Sequence, residues 1–329
     1  MSFSDSDVLK NHTTSKDLPW WVPNINHRIT PKVSIRLHTF KVTKGIHNNG
    51  CLIQVRHVLE TYRYIPPDEV VDHVYNIVSP IIASRRVLAT LSPSHHTKLK
   101  KRERAWNIRP WPCAGMGQFF TSSLPHLQCY SEILSRIQAG EQFRNIGCYC
   151  GTDLRQLMLD GCPQEHLHGM DFIDHWSLGH DLYRDAGRLS TEFIQADLLS
   201  PSIQLVSLAG KIDVMGANHV LHNWDWATQI RGAATMMKLS KVGAMIVGFQ
   251  IGTIDEEVVW SPENGKESPV LHNMATFERV WDEASEITGT ERNVSSRLRD
   301  WEDLGYSSEE TVYMGDKSRV LEFVARRMS

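Results

Sequence analysis

The sequence lacks the features that would place it in a membrane or send it out of the cell. It has no run of 18 apolar residues, and its start does not show the basic-then-apolar order of a signal peptide. It also lacks a surplus of either charge, because 35 Lys and Arg against 38 Asp and Glu leave a net charge of −3. We therefore expect a cytoplasmic protein that binds neither a membrane nor nucleic acid.

Cysteine is scarce and poorly spaced for a metal. The six cysteines include no pair with the two-to-four-residue gap of a zinc knuckle. The 16 histidines are numerous but scattered along the chain. We predict reduced thiols and no metal site.

The chain has no intact nucleotide-binding glycine motif either. Its nearest approach is RNIGCYCGTDL, residues 144–154, in which Asn145 stands where an acidic residue is usual and Tyr149 replaces a middle glycine. A nicotinamide enzyme would use Gly-x-Gly-x-x-Gly. Gly147 and Gly151 instead have the spacing of the first and last glycines in a methyltransferase turn. They allow the backbone to approach a ligand beside the free amides of the next helix.

From about residue 126 the sequence alternates between short apolar strands and amphipathic helices. This alternation predicts an α/β fold with a doubly wound parallel sheet, whose ligand lies at the carboxyl ends of the strands. The predicted strands are QFRNIG, HLHGMDF, EFIQADLL, KIDVMGANHVL and AMIVGFQIG, followed at the end of the chain by NVSSRLRDW and SRVLEFVARRM. The predicted helices are HLQCYSEILSRIQAG, TDLRQLMLDG, SLGHDLYRDAG, WATQIRGAATMMKLSKVG and TFERVWDEASEITG.

Polar residues follow the predicted strands where a cofactor would lie. Asp171 follows the second strand, where a carboxylate can accept hydrogen bonds from both ribose hydroxyls; the alternative is a residue that only opens a turn. Asp197 follows the third strand, where the adenine amino group would be recognised. ANHVLHNW follows the fourth, where the methionine end of an S-adenosylmethionine cofactor and the substrate would lie. The predicted cofactor-binding residues are Asn145, Gly147, Gly151, Asp171, Phe172, Asp197, Leu198, Asn218 and His219.

Two segments near the start differ in charge from the rest of the chain. Residues 33–54 and 78–100 hold seven Lys or Arg and no Asp or Glu, whereas the other 284 residues hold 28 basic and 38 acidic ones. Both segments begin Val-Ser, which an intron donor sequence would encode, and removing both leaves a text with helical spacing around them. We interpret them as retained introns. The alternative is two basic surface loops, since insertions outside a core are tolerated.

Several motifs together resemble a known family. They are AWNIRPWPCAGMGQF (residues 105–119), RNIGCYCGTDLRQLMLDG, GHDLYRD, FIQADLL, VLHNWDWATQ, VGAMIVGFQIG and FERVWDEASEITGT. In these motifs the chain resembles the fungal class I methyltransferases of meroterpenoid clusters, which include the carboxyl O-methyltransferases of the austinol and terretonin pathways. The resemblance covers nearly the whole chain except the two basic segments.

The resemblance implies a Rossmann-like, seven-stranded methyltransferase domain in residues 121–329, preceded by an N-terminal helical cap or substrate lid in residues 1–120. It also implies S-adenosyl-L-methionine as the cofactor and a polycyclic terpenoid or polyketide intermediate as the small-molecule substrate. A homodimer is compatible with it. Asn145 departs from the family, in which an aspartate typically ends the first strand. The lost charge leads us to expect cofactor binding weaker by roughly 1 kcal/mol.

The implied reaction transfers a methyl group from a sulfonium to a carboxylate or hydroxyl oxygen. A carboxylate is already ionised at neutral pH and needs no base. A phenol or enol would need one, and His219 and His222 are then the catalytic candidates because both follow the fourth strand. The alternative for both histidines is a turn or packing residue.

The predicted substrate-binding residues are Arg109, Trp111, Gln118 and Trp224. The tryptophans would wall an apolar pocket and Arg109 would pair with a substrate carboxylate; the alternatives are core tryptophans and a surface arginine. A competing hypothesis is a protein that has lost methyl transfer, acting as a cyclase, an isomerase or a ligand-binding protein. Asn145 is the residue that favours it.

Overall fold

The computed structural model describes residues 58–62, 65–66, 69, 108, 119, 121–255, 257–259, 269–306, 311 and 314–329, with 257–259 described by their backbone alone. Most of the predicted N-terminal cap, residues 1–120, lies outside the described residues, as do both basic segments. The domain boundary at residue 120 therefore stays a prediction.

A seven-stranded mixed sheet forms the centre of the described structure. The strands along the chain are β1 (Phe143–Ile146), β2 (Leu167–Asp171), β3 (Glu192–Gln195), β4 (Ile212–Gly216), β5 (Ser240–Thr253), β6 (Glu257–Val259), β7 (Val270–His272), β8 (Arg292–Arg299) and β9 (Ser318–Arg327). The sheet order is β3-β2-β1-β4-β5-β9-β8, and β6 pairs with β7 in a separate hairpin. Strands β1 to β5 are parallel, and β9 is antiparallel to both of its neighbours. The predicted seven-stranded α/β fold is confirmed.

Helices cover both faces of the sheet. α1 (Tyr130–Gln138), α2 (Thr152–Leu159) and α3 (Trp176–Tyr183) contribute to one core, and α4 (Ile203–Ser207), α5 (Trp226–Leu239) and α6 (Met274–Thr288) to the other. Successive residues of a strand point to opposite faces. In β5, Met245 and Val247 accordingly join the first core, while Ile246 joins the second. This two-sided burial explains why β5 is the most apolar predicted strand.

Four elements differ from the sequence prediction. β5 begins at Ser240, before the predicted AMIVGFQIG, and the sequence predicts neither α4 nor the hairpin of β6 and β7. In α4, Ile203 is 90% exposed and Val206 is 63% exposed, so no apolar face repeats with helical spacing. Strands of three residues are likewise too short to show alternation. Within the described part of the chain, no helix has the length and apolar character to cross a membrane.

Asp225 caps the start of α5, just after the loop that follows β4. Its carboxylate accepts a hydrogen bond from Thr228 N at 2.7 Å. We expect Asp225→Ala to lower the free energy of unfolding by about 1 kcal/mol, because one of the first amides of the helix loses its partner. Asp225→Asn keeps an acceptor oxygen and should retain most of that energy. Urea unfolding of the two variants tests this, and equal losses would contradict a capping role.

Candidate functional site

The carboxyl ends of β1 and β4 lie side by side in the middle of the sheet. From β1 the chain runs outward to β2 and β3, and from β4 it runs the other way to β5. The strand order therefore reverses between β1 and β4, where Asn145 pairs with Gly216. Such a reversal opens a crevice in which α/β proteins bind ligands. The predicted cofactor residues reach this edge from four strands: Gly147 after β1, Asp171 at the end of β2, Asp197 after β3 and Asn218 after β4.

The turn between β1 and α2 has a left-handed backbone at three of its residues. The φ angle is +66° at Gly147, +49° at Tyr149 and +70° at Gly151, a region that glycine enters without a steric penalty. A Cβ atom at Gly151 would also lie 2.5 Å from the Trp176 ring, and one at Gly147 would lie 3.0 Å from Val220. The Gly-x-x-x-Gly spacing therefore marks the two positions at which this turn requires glycine.

Tyr149 occupies the middle of the turn, where the sequence lacks a glycine. Its ring stacks on His175 with centroids 3.9 Å apart and tilts against Phe119 with centroids 4.8 Å apart. Its N–H donates to the Asp171 carboxylate at 2.9 Å. A left-handed φ costs a non-glycine residue about 1–2 kcal/mol, which the ring contacts and this hydrogen bond offset. An aromatic stack thus stabilises the turn without the middle glycine.

Asp171 connects the end of β2 to the glycine turn. Its Oδ2 accepts from Tyr149 N at 2.9 Å, and its Oδ1 accepts from Ile173 N at 3.1 Å. The residue is buried. Two backbone amides therefore hold this carboxylate at the edge of the crevice. Its contact with ribose hydroxyls stays a prediction.

The other residues predicted to bind the adenosine part follow β2 and β3. Asp197 closes its own turn, because its carboxylate accepts from Leu199 N at 2.9 Å and from Ser200 Oγ at 3.1 Å. Leu198 is buried in the core. Phe172 is 37% exposed after β2, and a partly exposed ring can pack against a planar base. The binding roles of these residues stay predictions.

Asn145 is buried behind the turn, next to a carboxylate. It is 3% exposed, and its Nδ2 donates to Asp153 Oδ2 at 3.5 Å. Sequence reasoning missed Asp153, because acidic residues are common in the first turn of any helix. The Asn145 amide therefore has a hydrogen-bond partner in Asp153, whereas an acidic side chain at position 145 would repel that carboxylate.

Asn218 and His219 form the loop that follows β4. The Asn218 side chain is bonded on both sides, since Nδ2 donates to Asp153 Oδ2 at 3.2 Å and Oδ1 accepts from Phe249 N at 3.1 Å. His219 has a φ of +56°, and its N–H donates to Phe249 O at 2.8 Å. Its ring meets the Phe249 ring edge-on at 4.7 Å. The loop is therefore anchored to β5.

His222 lies edge-on to His219, with ring centroids 5.5 Å apart. Its backbone N–H donates to Oε1 of the buried Gln250 at 3.0 Å, and its Nδ1 has no hydrogen-bond partner among the described residues. Burial lowers the pKa of His219 to about 4, and burial together with His219 holds the pKa of His222 well below its usual value. Both rings are therefore neutral at pH 7 and weakly basic.

The lowered pKa of His219 should appear in the stability of the protein. Its ordinary pKa is 6.5 and its folded pKa is about 4. Between these pH values the unfolded chain binds a proton at this residue and the folded protein does not. We expect this residue to lower the free energy of unfolding as the pH falls from about 6.5 to about 4, with no effect above that window. His219→Asn, which tolerates the left-handed φ, should flatten part of the slope in urea unfolding. An unchanged slope would show that His219 titrates normally when folded.

Trp224, predicted to wall the substrate pocket, packs against α5. A Cβ atom at Gly232 would lie 2.5 Å from the Trp224 ring. The Trp224 carbonyl accepts from Val270 N at 3.1 Å and from Gln229 Nε2 at 2.9 Å. These contacts match the alternative of a core residue, and the substrate role stays a prediction.

Three predicted substrate residues, Arg109, Trp111 and Gln118, lie outside the described residues. Phe119, the next residue in the chain, is buried. Its carbonyl accepts from Thr152 Oγ1 at 2.7 Å. The end of the segment predicted to bind the substrate therefore lies against the start of α2 and the glycine turn.

A buried ion pair that the sequence did not reveal supports the glycine turn between β1 and α2. The side chains of Arg155 and Asp185 are fully buried, with Nε to Oδ2 at 2.7 Å and Nη2 to Oδ1 at 3.0 Å. Arg155 Nη1 donates to the carbonyls of Cys150 at 2.6 Å and Gly151 at 3.1 Å. Tyr62 OH donates to Asp185 at 3.2 Å. The motifs GTDLR and YRD contain both charges, but a separation of 30 residues carries no pairing signal.

The sequence is similar to fungal methyltransferases. The O-methyltransferase phiE of Fungal sp. is 31% identical over 266 residues, which cover 78% of this chain and 78% of that protein. The chain belongs to this family of fungal methyltransferases. The methyltransferase adrK of Penicillium roqueforti is 29% identical over 249 residues, which cover 74% of this chain and 81% of that protein. The family resemblance of the sequence motifs is thereby confirmed.

Comparisons with family models and with solved structures do not narrow the family further. No protein-family model matches the sequence. Among solved structures, geranyl diphosphate methyltransferase in complex with GPP and sinefungin aligns with a TM-score of 0.41 and 13% identity, over 60% of this chain and 76% of that chain. The fold of the chain therefore follows from its own strand order, and its membership of the methyltransferase family follows from its sequence relatives.

Proposed function

We propose that this methyltransferase uses S-adenosyl-L-methionine to methylate an oxygen, preferably a carboxylate oxygen, of a polycyclic terpenoid or polyketide intermediate in fungal secondary metabolism. Family membership supports the reaction. The observation that carries the cofactor is the crevice between β1 and β4, in which a glycine turn and the Asp171 carboxylate are joined by a hydrogen bond.

The residues at this crevice fit the cofactor. Gly147 and Gly151 keep Cβ atoms out of the turn, and two amides orient Asp171. Asp171 would accept hydrogen bonds from the ribose hydroxyls, and the loop that begins at Asn218 would lie along the methionine part. When bound, S-adenosyl-L-methionine supplies an electrophilic methyl group on a sulfonium. The protein needs mainly to hold donor and acceptor in line and to exclude water.

The two histidines after β4 favour a carboxylate acceptor. A general base works best when its pKa lies near the working pH, whereas burial holds the pKa of both His219 and His222 far below 7. A carboxylate with an ordinary pKa near ~4 is already ionised and needs no proton removed. A hydroxyl would depend on weak bases. We infer that the histidines line and shape the acceptor side rather than deprotonate it.

Calorimetric titration with S-adenosyl-L-methionine and with S-adenosylhomocysteine tests the cofactor. Saturable binding to the folded 329-residue chain is expected, and to the 284-residue form without the basic segments if these are introns. Absence of binding to both forms would refute the proposal.

The acceptor is tested with methyl-labelled cofactor and a panel of terpenoid and polyketide carboxylic acids matched to their hydroxyl analogues. A carboxylate acceptor gives a methyl ester, which alkali hydrolyses with release of labelled methanol. A label that survives alkali would show ether formation and overturn the carboxylate assignment. A rearranged product without label would instead support the cyclase or isomerase hypothesis.

A further inference from the structure

The Asp153 carboxylate is the centre of a buried hydrogen-bond network beside the crevice. The residue is 9% exposed and lies in the first turn of α2. Three donors meet its Oδ1 and two meet its Oδ2. They are Ser122 Oγ at 2.6 Å, Ser123 N at 2.6 Å, Leu124 N at 3.2 Å, Asn145 Nδ2 at 3.5 Å and Asn218 Nδ2 at 3.2 Å.

These donors come from three separate parts of the chain. Asn145 belongs to β1 and Asn218 to the loop after β4, so they stand on the two strands that border the crevice. Ser122 belongs to the segment that leads into α1. One carboxylate therefore ties both strand ends and this segment to α2. Because Asn218 is also bonded to β5, the loop that carries His219 is held relative to the glycine turn through Asp153.

We infer that Asp153 is a positioning residue of the cofactor site, which holds the ends of β1 and β4 in the arrangement that S-adenosyl-L-methionine requires. The inference rests on the proposed cofactor. It also reverses the expectation, drawn from the sequence alone, that Asn145 weakens cofactor binding. An amide at this position donates to Asp153, whereas an aspartate would place a second carboxylate against the first. The carboxylate beside the ends of β1 and β4 is therefore that of Asp153 on α2, and β1 contributes a neutral amide instead.

The electrostatic surroundings of Asp153 come from several elements. The Asp153 charge acts to raise the pKa of His126 after Leu124, of Tyr130 on α1 and of Tyr183 on α3. Burial and Arg299 lower the pKa of His126, and burial raises the pKa of both tyrosines, so all three are neutral at pH 7. Among the described residues, no Lys or Arg forms an ion pair with Asp153. Neutral N–H and O–H donors therefore balance its charge.

The test is a charge swap, read out by calorimetric binding of S-adenosylhomocysteine between about pH 5.5 and pH 8. Asn145→Asp creates two adjacent carboxylates, which ionise together only against their repulsion and retain one proton toward neutral pH. Affinity in this variant should be near wild type at the acid end and about tenfold weaker at the basic end. Wild-type affinity should be flat over this range. The double variant Asn145→Asp with Asp153→Asn has one carboxylate again, so the pH dependence should disappear.

Asp153→Asn alone should weaken affinity about tenfold at every pH, since its amide nitrogen would face either the donors of Asn145 and Asn218 or those of Ser122, Ser123 and Leu124. Asp160→Asn is the matched control just past the other end of α2: Asp160 accepts from Tyr130 OH and Gln156 Nε2 there, and affinity should not change. A flat pH profile for Asn145→Asp, or an Asp153→Asn affinity within twofold of wild type, would overturn the inference.

Thermal unfolding without any ligand separates this inference from the proposed cofactor. The melting temperature of Asn145→Asp should fall relative to wild type as the pH rises, and the double variant should lack this trend. If wild type binds no S-adenosylhomocysteine, the proposed cofactor fails, and the unfolding data still decide whether Asp153 and position 145 are coupled. No such coupling in the melting curves would refute the network even if wild type binds.

Discussion

Replacing Arg155 by methionine is expected to lower the free energy of unfolding by about 3–5 kcal/mol, because Asp185 would become a buried charge without its cation. Both side chains are fully buried and joined by two short hydrogen bonds. His180 Nδ1 lies 2.8 Å from Asp185 Oδ1 and would remain, but it cannot replace the paired guanidinium. Methionine fills much of the lost volume, so the change removes the charge and its hydrogen bonds without opening a large cavity. Urea unfolding measures the effect.

Arg136→Met is the control for this substitution. Arg136 pairs with Glu141 at 2.5 Å in a partly exposed position, where an ion pair contributes at most about 1 kcal/mol. If Arg155→Met were as mild as Arg136→Met, the buried pair would not be stabilising the turn. Because Arg155 also donates to the carbonyls of Cys150 and Gly151, its loss should in addition weaken cofactor binding.

Replacing Asp171 by alanine is expected to weaken binding of S-adenosylhomocysteine by roughly 100-fold. Two hydrogen bonds from ribose hydroxyls to a carboxylate contribute about 1.5 kcal/mol each at the lower end of the usual range. The loss of the contacts to Tyr149 N and Ile173 N should also loosen the turn. Calorimetric titration gives the affinity, and circular dichroism confirms that the variant is folded.

Asp213→Ala is the matched control for Asp171→Ala. Asp213 also accepts a backbone hydrogen bond, from Gln142 at the start of β1, and it pairs with Lys241. It lies at the amino end of the sheet, away from the crevice. Affinity should be unchanged in this variant. An Asp171→Ala affinity equal to that of Asp213→Ala would show that Asp171 only opens a turn, as the alternative holds.

The structure changes the interpretation of Asn145. In the sequence motif, Asn145 replaces an acidic residue, and that replacement favoured the hypothesis of a protein without methyl transfer. In the fold its amide donates to Asp153, and Asn218 donates to the same oxygen. Asn145 therefore no longer provides a reason to prefer the non-methylating hypothesis.

Much of the fold was predictable because its signals are local. Amphipathic spacing placed α1, α2, α3, α5 and α6, and short strand-like segments between and after them placed the seven strands of the main sheet. The glycine spacing located the turn, since left-handed φ at Gly147 and Gly151 restricts the residue type at each position separately. Element ends and the short α4 were not predictable, because they depend on packing and not on periodicity.

The sequence by itself determined the doubly wound sheet, the turn after β1 and the strand ends at which a cofactor would lie, because each follows from patterns within a few residues. Only the tertiary structure decided which polar side chains meet. The contacts of Arg155 with Asp185 and of Asp153 with Asn218 join residues 30 and 65 positions apart. Such contacts depend on how helices pack against strand ends, and no local sequence pattern encodes that geometry. The contacts that support the glycine turn are therefore visible only in the folded molecule.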